Sequence, residues 1–231
     1  MKKKVTSLLL ALVMCLGLCI PAFAMEACGY EEYQDFTGQE IANIALDNAK
    51  IEAALKNTGV ARAGQYIKLD VPLYQQETTN YCGPACTQMV LAYKGKNYTQ
   101  SQIASAMNFS VGGADSSKIA SVLNSKLGLN NAYSVTTTNQ STLSTDMIYS
   151  MQKDYPMICS VKTMPKYTSS SGHFLVLTGF NFGASGSQAV QTVYYNDPHW
   201  NDAYCEKGNM TYSEMLTAIN SNGSKYIRYR G

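Results

Sequence analysis

Gln76-Glu-Thr-Thr-Asn-Tyr-Cys-Gly-Pro-Ala-Cys-Thr-Gln-Met-Val-Leu-Ala-Tyr93 carries a polar loop into an apolar, helix-like pattern through Cys82-Gly83-Pro84. Ala85, Cys86, Met89, Val90 and Tyr93 recur at helical spacing, so the pattern predicts a helix beginning at about residue 83, with these residues on one face. Pro84 suits a first turn, where no backbone N–H is required. Gly83 permits a tight bend and a close approach to the backbone. Cys82 therefore falls at a helix N-terminus, where unpaired N–H groups and the helix dipole favour negative charge and a thiolate. A buried structural thiol gains nothing from that position, whereas a nucleophile does. Cys86, one turn further on, reads as a core thiol or half of a disulfide.

A thiolate nucleophile needs a histidine, and the whole chain of 231 residues has two, His173 and His199. His173 opens the most apolar run, His173-Phe-Leu-Val-Leu-Thr-Gly-Phe-Asn181, directly after a Ser-Gly-rich stretch at 168 to 172 that reads as a turn. A strand end lies at a sheet rim, where clefts form. Asp197 ends the next strand-like run in Tyr194-Tyr-Asn-Asp-Pro198. Pairing of these two strands through a turn at 183 to 188 would bring residues 173 and 197 to the same rim. The carboxylate could then fix the imidazole tautomer. His199 is the alternative base, although no apolar strand positions it. Gln76, six residues before Cys82, is a candidate oxyanion donor beside the Cys82 backbone N–H, with Gln75 as its neighbour and alternative.

The remaining segments give an α+β expectation. Ile67 to Leu73 alternates like a strand, and helices are expected over 101–107, 115–127 and 142–153. Strands are expected over 133–137, 156–162 and 190–196, a last helix over 212–219 and a closing strand over 226–229. Helices largely precede strands, the order of an antiparallel sheet packed against helices. Thr37-Gly-Gln-Glu40 has the form of a capping box and opens a helical pattern that runs to Asn57. It reads as a packed arm or a short pro-segment within a 25–66 N-terminal segment, followed by a 67–231 domain.

The first 24 residues read as a signal peptide: Lys2 to Lys4, an apolar run from Ser7 to Ile20, and Ala22-Phe23-Ala24 as the cleavage site. Its removal leaves 207 residues, and lysine plus arginine falls from 18 to 15 against 16 acidic residues. The net charge of −1 gives no basic surface for nucleic acid or anionic membrane. The expectation is a secreted monomer, free outside the cell or associated with the wall, without a membrane anchor. Cys28, Cys82, Cys86, Cys159 and Cys205 remain, an odd number that leaves at least one thiol unpaired in a monomer. With Cys82 free, the other four allow three disulfide pairings. Cys-x-x-x-Cys is neither a usual zinc spacing nor a thioredoxin-type pair, so neither metal nor cofactor is expected.

Val71-Pro-Leu-Tyr-Gln-Gln76, Asn80-Tyr-Cys-Gly-Pro-Ala85, Gly172-His-Phe-Leu-Val-Leu-Thr-Gly-Phe180 and Tyr195-Asn-Asp-Pro198, in that order, resemble the C39-like family of papain-like cysteine peptidases. The resemblance runs from about Leu69 to the C-terminus. It implies a papain-like α+β fold, a peptide or protein substrate, and a site of Cys82 as nucleophile, His173 as base, Asp197 as orienting acid and Gln76 as oxyanion donor. Members fused to ABC transporters cut leader peptides after a double glycine, but this chain carries no transporter domains, so that specificity does not transfer. The same thiol site would also serve a transpeptidase or an amidase. A secreted binding module on a decayed peptidase scaffold is the non-enzymatic alternative.

Overall fold

The computed structural model describes residues 66–109, 113–182 and 190–231. The expected signal peptide, all of the expected 25–66 segment before Tyr66 with its predicted helix and Cys28, and the expected turn at 183–188 lie outside the described residues. The strands are β1 (Tyr66–Lys68), β2 (Tyr133–Thr137), β3 (Met157–Met164), β4 (Tyr167–Phe182), β5 (Val190–Asp197), β6 (Glu206–Thr211) and β7 (Lys225–Tyr229). They form one antiparallel sheet in the order β2-β7-β3-β4-β5-β6, with β1 paired to β4. The helices are α1 (Cys82–Tyr93), α2 (Gln100–Ala106), α3 (Ser116–Leu127), α4 (Gln140–Gln152) and α5 (Tyr212–Asn220).

Both faces of this sheet are covered, which is why β4 reads as a continuous apolar run and not as a strict alternation. Phe174 and Val176 join Met89, Val90, Ile103, Ile119 and Leu123 of α1, α2 and α3. Leu175 and Leu177 point the other way, onto Leu143, Met147, Met215 and Ile219 of α4 and α5. Alternate residues of one strand thus stitch two cores together. Helix α1 is buried on nearly every side, not on the single face its spacing suggests, because it runs between the sheet and the other two helices. A fully surrounded helix has no polar face to offer.

Three expectations about local structure change. The predicted strand at 67–73 shrinks to Tyr66–Lys68. Pro72 has no N–H to give to a ladder, and the carbonyls of Val71 and Pro72 instead accept from Asn196 Nδ2 at 3.0 and 3.2 Å. The predicted turn at 168–172 lies inside β4, and His173 is the seventh residue of that strand rather than its start. The ladder jumps from Val161↔His173 to Thr163↔Thr168, so Lys162 alone faces Ser169 to Gly172. This wide bulge, with Gly172 at φ +89°, places His173 at the last regular pair before the sheet opens. β6 was not anticipated.

Gly83 sets how closely α1 approaches the segment leading into α3. A Cβ there would stand 2.3 Å from that of Ala114 and 3.3 Å from Ile119 Cδ1. Gly83→Ala is expected to destabilise the fold by about 1–3 kcal/mol through overpacking. The readout is a lower urea midpoint at unchanged slope. Adding Ala114→Gly should recover part of the loss.

Candidate active site

Cys82 is the first residue of α1, so its backbone N–H has no acceptor within the helix. Tyr81 precedes it without a side-chain cap, and Ala85 N–H donates to Tyr81 O at 2.8 Å. Cys82 and His173 line the same cleft, and the thiol lies near enough to the ring to raise the imidazole's pKa. On the other side of that ring, Nε2 lies 2.7 Å from Asp197 Oδ1, which leaves Nδ1 as the nitrogen available to the thiol. His173 and Asp197 are 6% and 1% exposed. The structure thus brings together three of the four residues singled out from sequence, His173 bonded to Asp197 and set beside Cys82.

Asp197 is further held by two donors. Tyr167 Oη donates to Oδ2 at 2.5 Å, and the backbone N–H of His199 donates to Oδ1 at 2.9 Å. The Tyr167 ring stands edge-on to His173 with centroids 5.7 Å apart. Burial and the Asp197 charge both raise the Tyr167 hydroxyl well above its ordinary value, so it stays protonated and donating. Nothing in the sequence marks Tyr167 among 17 tyrosines. It reaches Asp197 across the β4 bulge, a feature no local pattern announces.

His199 does not replace His173. Its Nδ1 accepts from Asn201 N–H at 3.0 Å, so in the neutral ring the proton sits on Nε2. Burial and the nearby His173 charge lower its pKa. It packs 5.4 Å from His173 and stacks on the exposed Trp200 at 5.7 Å.

Gln76 is 5% exposed and lines the same cleft as Cys82 and His173. Its backbone N–H donates to Pro198 O at 2.8 Å, and one side-chain N–H donates to Thr78 O at 2.6 Å. The second amide hydrogen remains for another acceptor. Its Oε1 is buried without a donor, which costs about 1–3 kcal/mol. Gln75 turns away and binds Trp200 O and Asp202 Oδ1 at 3.0 and 2.6 Å. The loop is clamped from below by the buried Gln100, which donates to Gln75 O and accepts from Glu77 N–H.

Cys86 and Cys159 are fully buried, and burial raises both thiols. Among the described residues Cys82, Cys86, Cys159 and Cys205 form no disulfide with one another. Among the described residues no cluster of three His, Cys, Asp or Glu side chains forms a metal-ligand group, and no helix is long and apolar enough to cross a membrane. The cleft has a volume of about 740 Å³.

The family model described as the Peptidase_C39 like family matches residues 68–220. The chain belongs to this C39-like peptidase family. Among curated proteins nothing matches it. Of solved structures, a C39-like peptidase from Bacillus anthracis aligns at 15% identity and a TM-score of 0.53, covering 72% of this chain and 98% of that one. A double glycine motif protease from an AMS/PCAT transporter, solved with its leader peptide, gives 16% and 0.47 over 70% of this chain and 92% of that one. Bromelain from Ananas comosus gives 11% and 0.44 over 72% and 98%. The fold is papain-like α+β, as a C39-like chain requires.

Burial alone would depress His173, but hydrogen bonds and charge from Asp197 and Cys82 outweigh it and raise its pKa from 6.5 to about 9. The folded value lies above the unfolded one, so protonation favours folding. The His173 contribution to stability is full below pH 6.5 and is lost as pH rises through about 9. NMR titration of the ring should therefore give a midpoint near 9 in the wild type. The midpoint should fall in Asp197→Asn, and less far in Cys82→Ala. An unchanged midpoint in Asp197→Asn would refute this account.

Proposed function

We propose that the chain is an exported cysteine peptidase in which Cys82 is the nucleophile, His173 the general acid and base, and Asp197 the group that orients the imidazole. The observation that carries this reading is the 2.7 Å hydrogen bond from His173 to Asp197, in a cleft that His173 lines together with Cys82 at the start of α1. Membership in a peptidase family supports the same chemistry. Export is supported by Lys2 to Lys4, the apolar run to Ile20 and Ala22-Phe23-Ala24.

In this reading the Cys82 thiolate attacks a peptide carbonyl carbon and forms an S–C bond. The oxyanion takes hydrogen bonds from the Cys82 backbone N–H and the second Gln76 amide hydrogen. His173 passes its proton to the departing amine as the C–N bond breaks, leaving a thioester on Cys82. Water then adds to that thioester while His173 takes its proton, and collapse expels the thiolate and frees the acid. Asp197, held by Tyr167 and the His199 N–H, keeps Nε2 protonated and Nδ1 toward sulfur throughout.

Cys82→Ala should abolish both peptide hydrolysis and fast alkylation by iodoacetamide at neutral pH, with the fold intact by circular dichroism. Gln76→Ala should lower kcat on the order of 10²–10³-fold with little change in KM, the pattern of a donor used only in the transition state. Hydrolysis persisting in Cys82→Ala rules the mechanism out.

A further inference from the structure

On the sheet face that meets α1 and α3, the strands beside His173 carry a row of side chains that the chemistry above does not use. Ser160 pairs with Phe174, two residues on from the pair Ile158↔Val176 in the same ladder. Ile158 also pairs with Ile227, and Cys159 with Tyr226, so the next step of that register sets Ser160 beside Lys225. Directly paired residues share a face, which places Phe174, Ser160 and Lys225 in line across β4, β3 and β7. All three line the cleft, as do Gly172, Val135 and Asn222.

The polar groups of this row are arranged as donors. Ser160 is buried, and its Oγ accepts from Asn222 Nδ2 at 2.7 Å, which leaves the hydroxyl proton for another acceptor. Asn222 in turn packs against Gly172, where a Cβ would approach Nδ2 to 2.4 Å; a side chain at 172 would close this part of the cleft. Lys225 is exposed at the far end, is the sole lysine or arginine among the described cleft-lining residues, and makes no ion pair with any described residue. Asp115, on the opposite wall, is the competing charge. Its Oδ1 is already engaged by Ser117 N–H and Oγ, both at 2.7 Å, as the N-cap of α3. Its carboxyl is held below the usual range first by those bonds and only weakly by Lys225.

We infer that Phe174, Ser160, Asn222 and Lys225 form a substrate side-chain subsite beside His173, and that Lys225 selects a carboxylate there. The occupant is a glutamate or aspartate side chain close to the scissile bond. A carboxylate accepts hydrogen bonds and donates none, so it can take the Ser160 proton and the Lys225 ammonium together. A lysine or arginine side chain would meet Lys225 as a like charge. The stem of a glutamate would lie along Phe174 and Val135. This inference rests on the peptidase reading of Cys82 and adds to it the class of residue recognised.

The test uses peptidyl acyloxymethyl ketones that differ only in carrying Glu, Gln or Lys at each of the three positions before the reactive carbonyl. Labelling of Cys82 is followed by mass spectrometry, and each rate is divided by the same variant's iodoacetamide rate. At one of the three positions the wild type should label about fivefold faster with Glu than with Gln, and slowest with Lys. Lys225→Glu should invert the Glu-to-Lys order at that same position, and Ser160→Ala should reduce the Glu preference without inverting it. Fast iodoacetamide labelling with no dependence on side-chain charge overturns the subsite alone. A preference for Lys in the wild type overturns it in favour of Asp115. If iodoacetamide labels Cys82 no faster than a free thiol, the peptidase reading fails and the subsite with it. Raising the salt concentration should shrink the Glu preference, as expected for an exposed charge pair.

Discussion

A carboxylate taken out of water must be met by donors from the protein, and Asp197 is met from three directions at once: the His173 ring, the Tyr167 hydroxyl and the His199 backbone. These partners come from the middle of β4, from its first residue and from the turn after β5. The demand of one buried charge therefore fixes the relative positions of chain segments that no local propensity would bring together. Leaving the charge unmet would cost several kcal/mol, more than most single contacts contribute. Around this point the imidazole has one orientation, and its second nitrogen is left to face α1.

The other half of the site is positioned by backbone demands and not by charge. The segment from Leu69 to Gln76 does not continue as a strand, so its carbonyls and N–H groups need partners elsewhere. Carboxamides supply them: Asn196 bonds the carbonyls of Val71 and Pro72, and Gln100 bonds both Gln75 O and Glu77 N–H. Pro198 O takes the Gln76 N–H. The Tyr195-Asn-Asp-Pro198 run thus does two jobs in adjacent residues, one holding the loop before Cys82 and one holding His173. This coupling gives a physical reason why the loop before α1 and the end of β5 belong to one motif.

How much of this could be read from sequence depended on how local the cause was. Cys82 at a helix start followed from Gly83, Pro84 and the apolar spacing, all within a few residues. His173 and Asp197 were legible because β4 and β5 are sequential and antiparallel, so their relation required only a hairpin. Tyr167 was not legible, because its approach to Asp197 depends on four residues facing one across the β3–β4 ladder. The same bulge disguised part of a strand as a turn: Ser169, Ser170, Ser171 and Gly172 have the composition of a turn but lie within β4, with Gly172 at φ +89°. β6 was hidden by its chemistry. In Glu206-Lys-Gly-Asn-Met-Thr211 only Met210 is a buried apolar residue, as suits a polar strand at the sheet edge.

The bulge also separates two kinds of constraint on the cleft. One wall is made by the starts of α1 and α3, where Gly83 lies against Ala114 so closely that a single methyl does not fit. The opposite wall is Thr168 to Gly172, where the β3–β4 ladder skips four residues and side chains project without a packed neighbour layer. Substitutions on the first wall disturb the helix that carries Cys82, whereas those on the second alter what the cleft meets without touching Asp197. Lys225 and Ser160 lie outside both the bulge and the Cys82, His173 and Asp197 group, so their chemistry is free to vary while that group stays fixed. One arrangement of sulfur, imidazole and carboxylate can in this way stand beside cleft walls of differing chemistry.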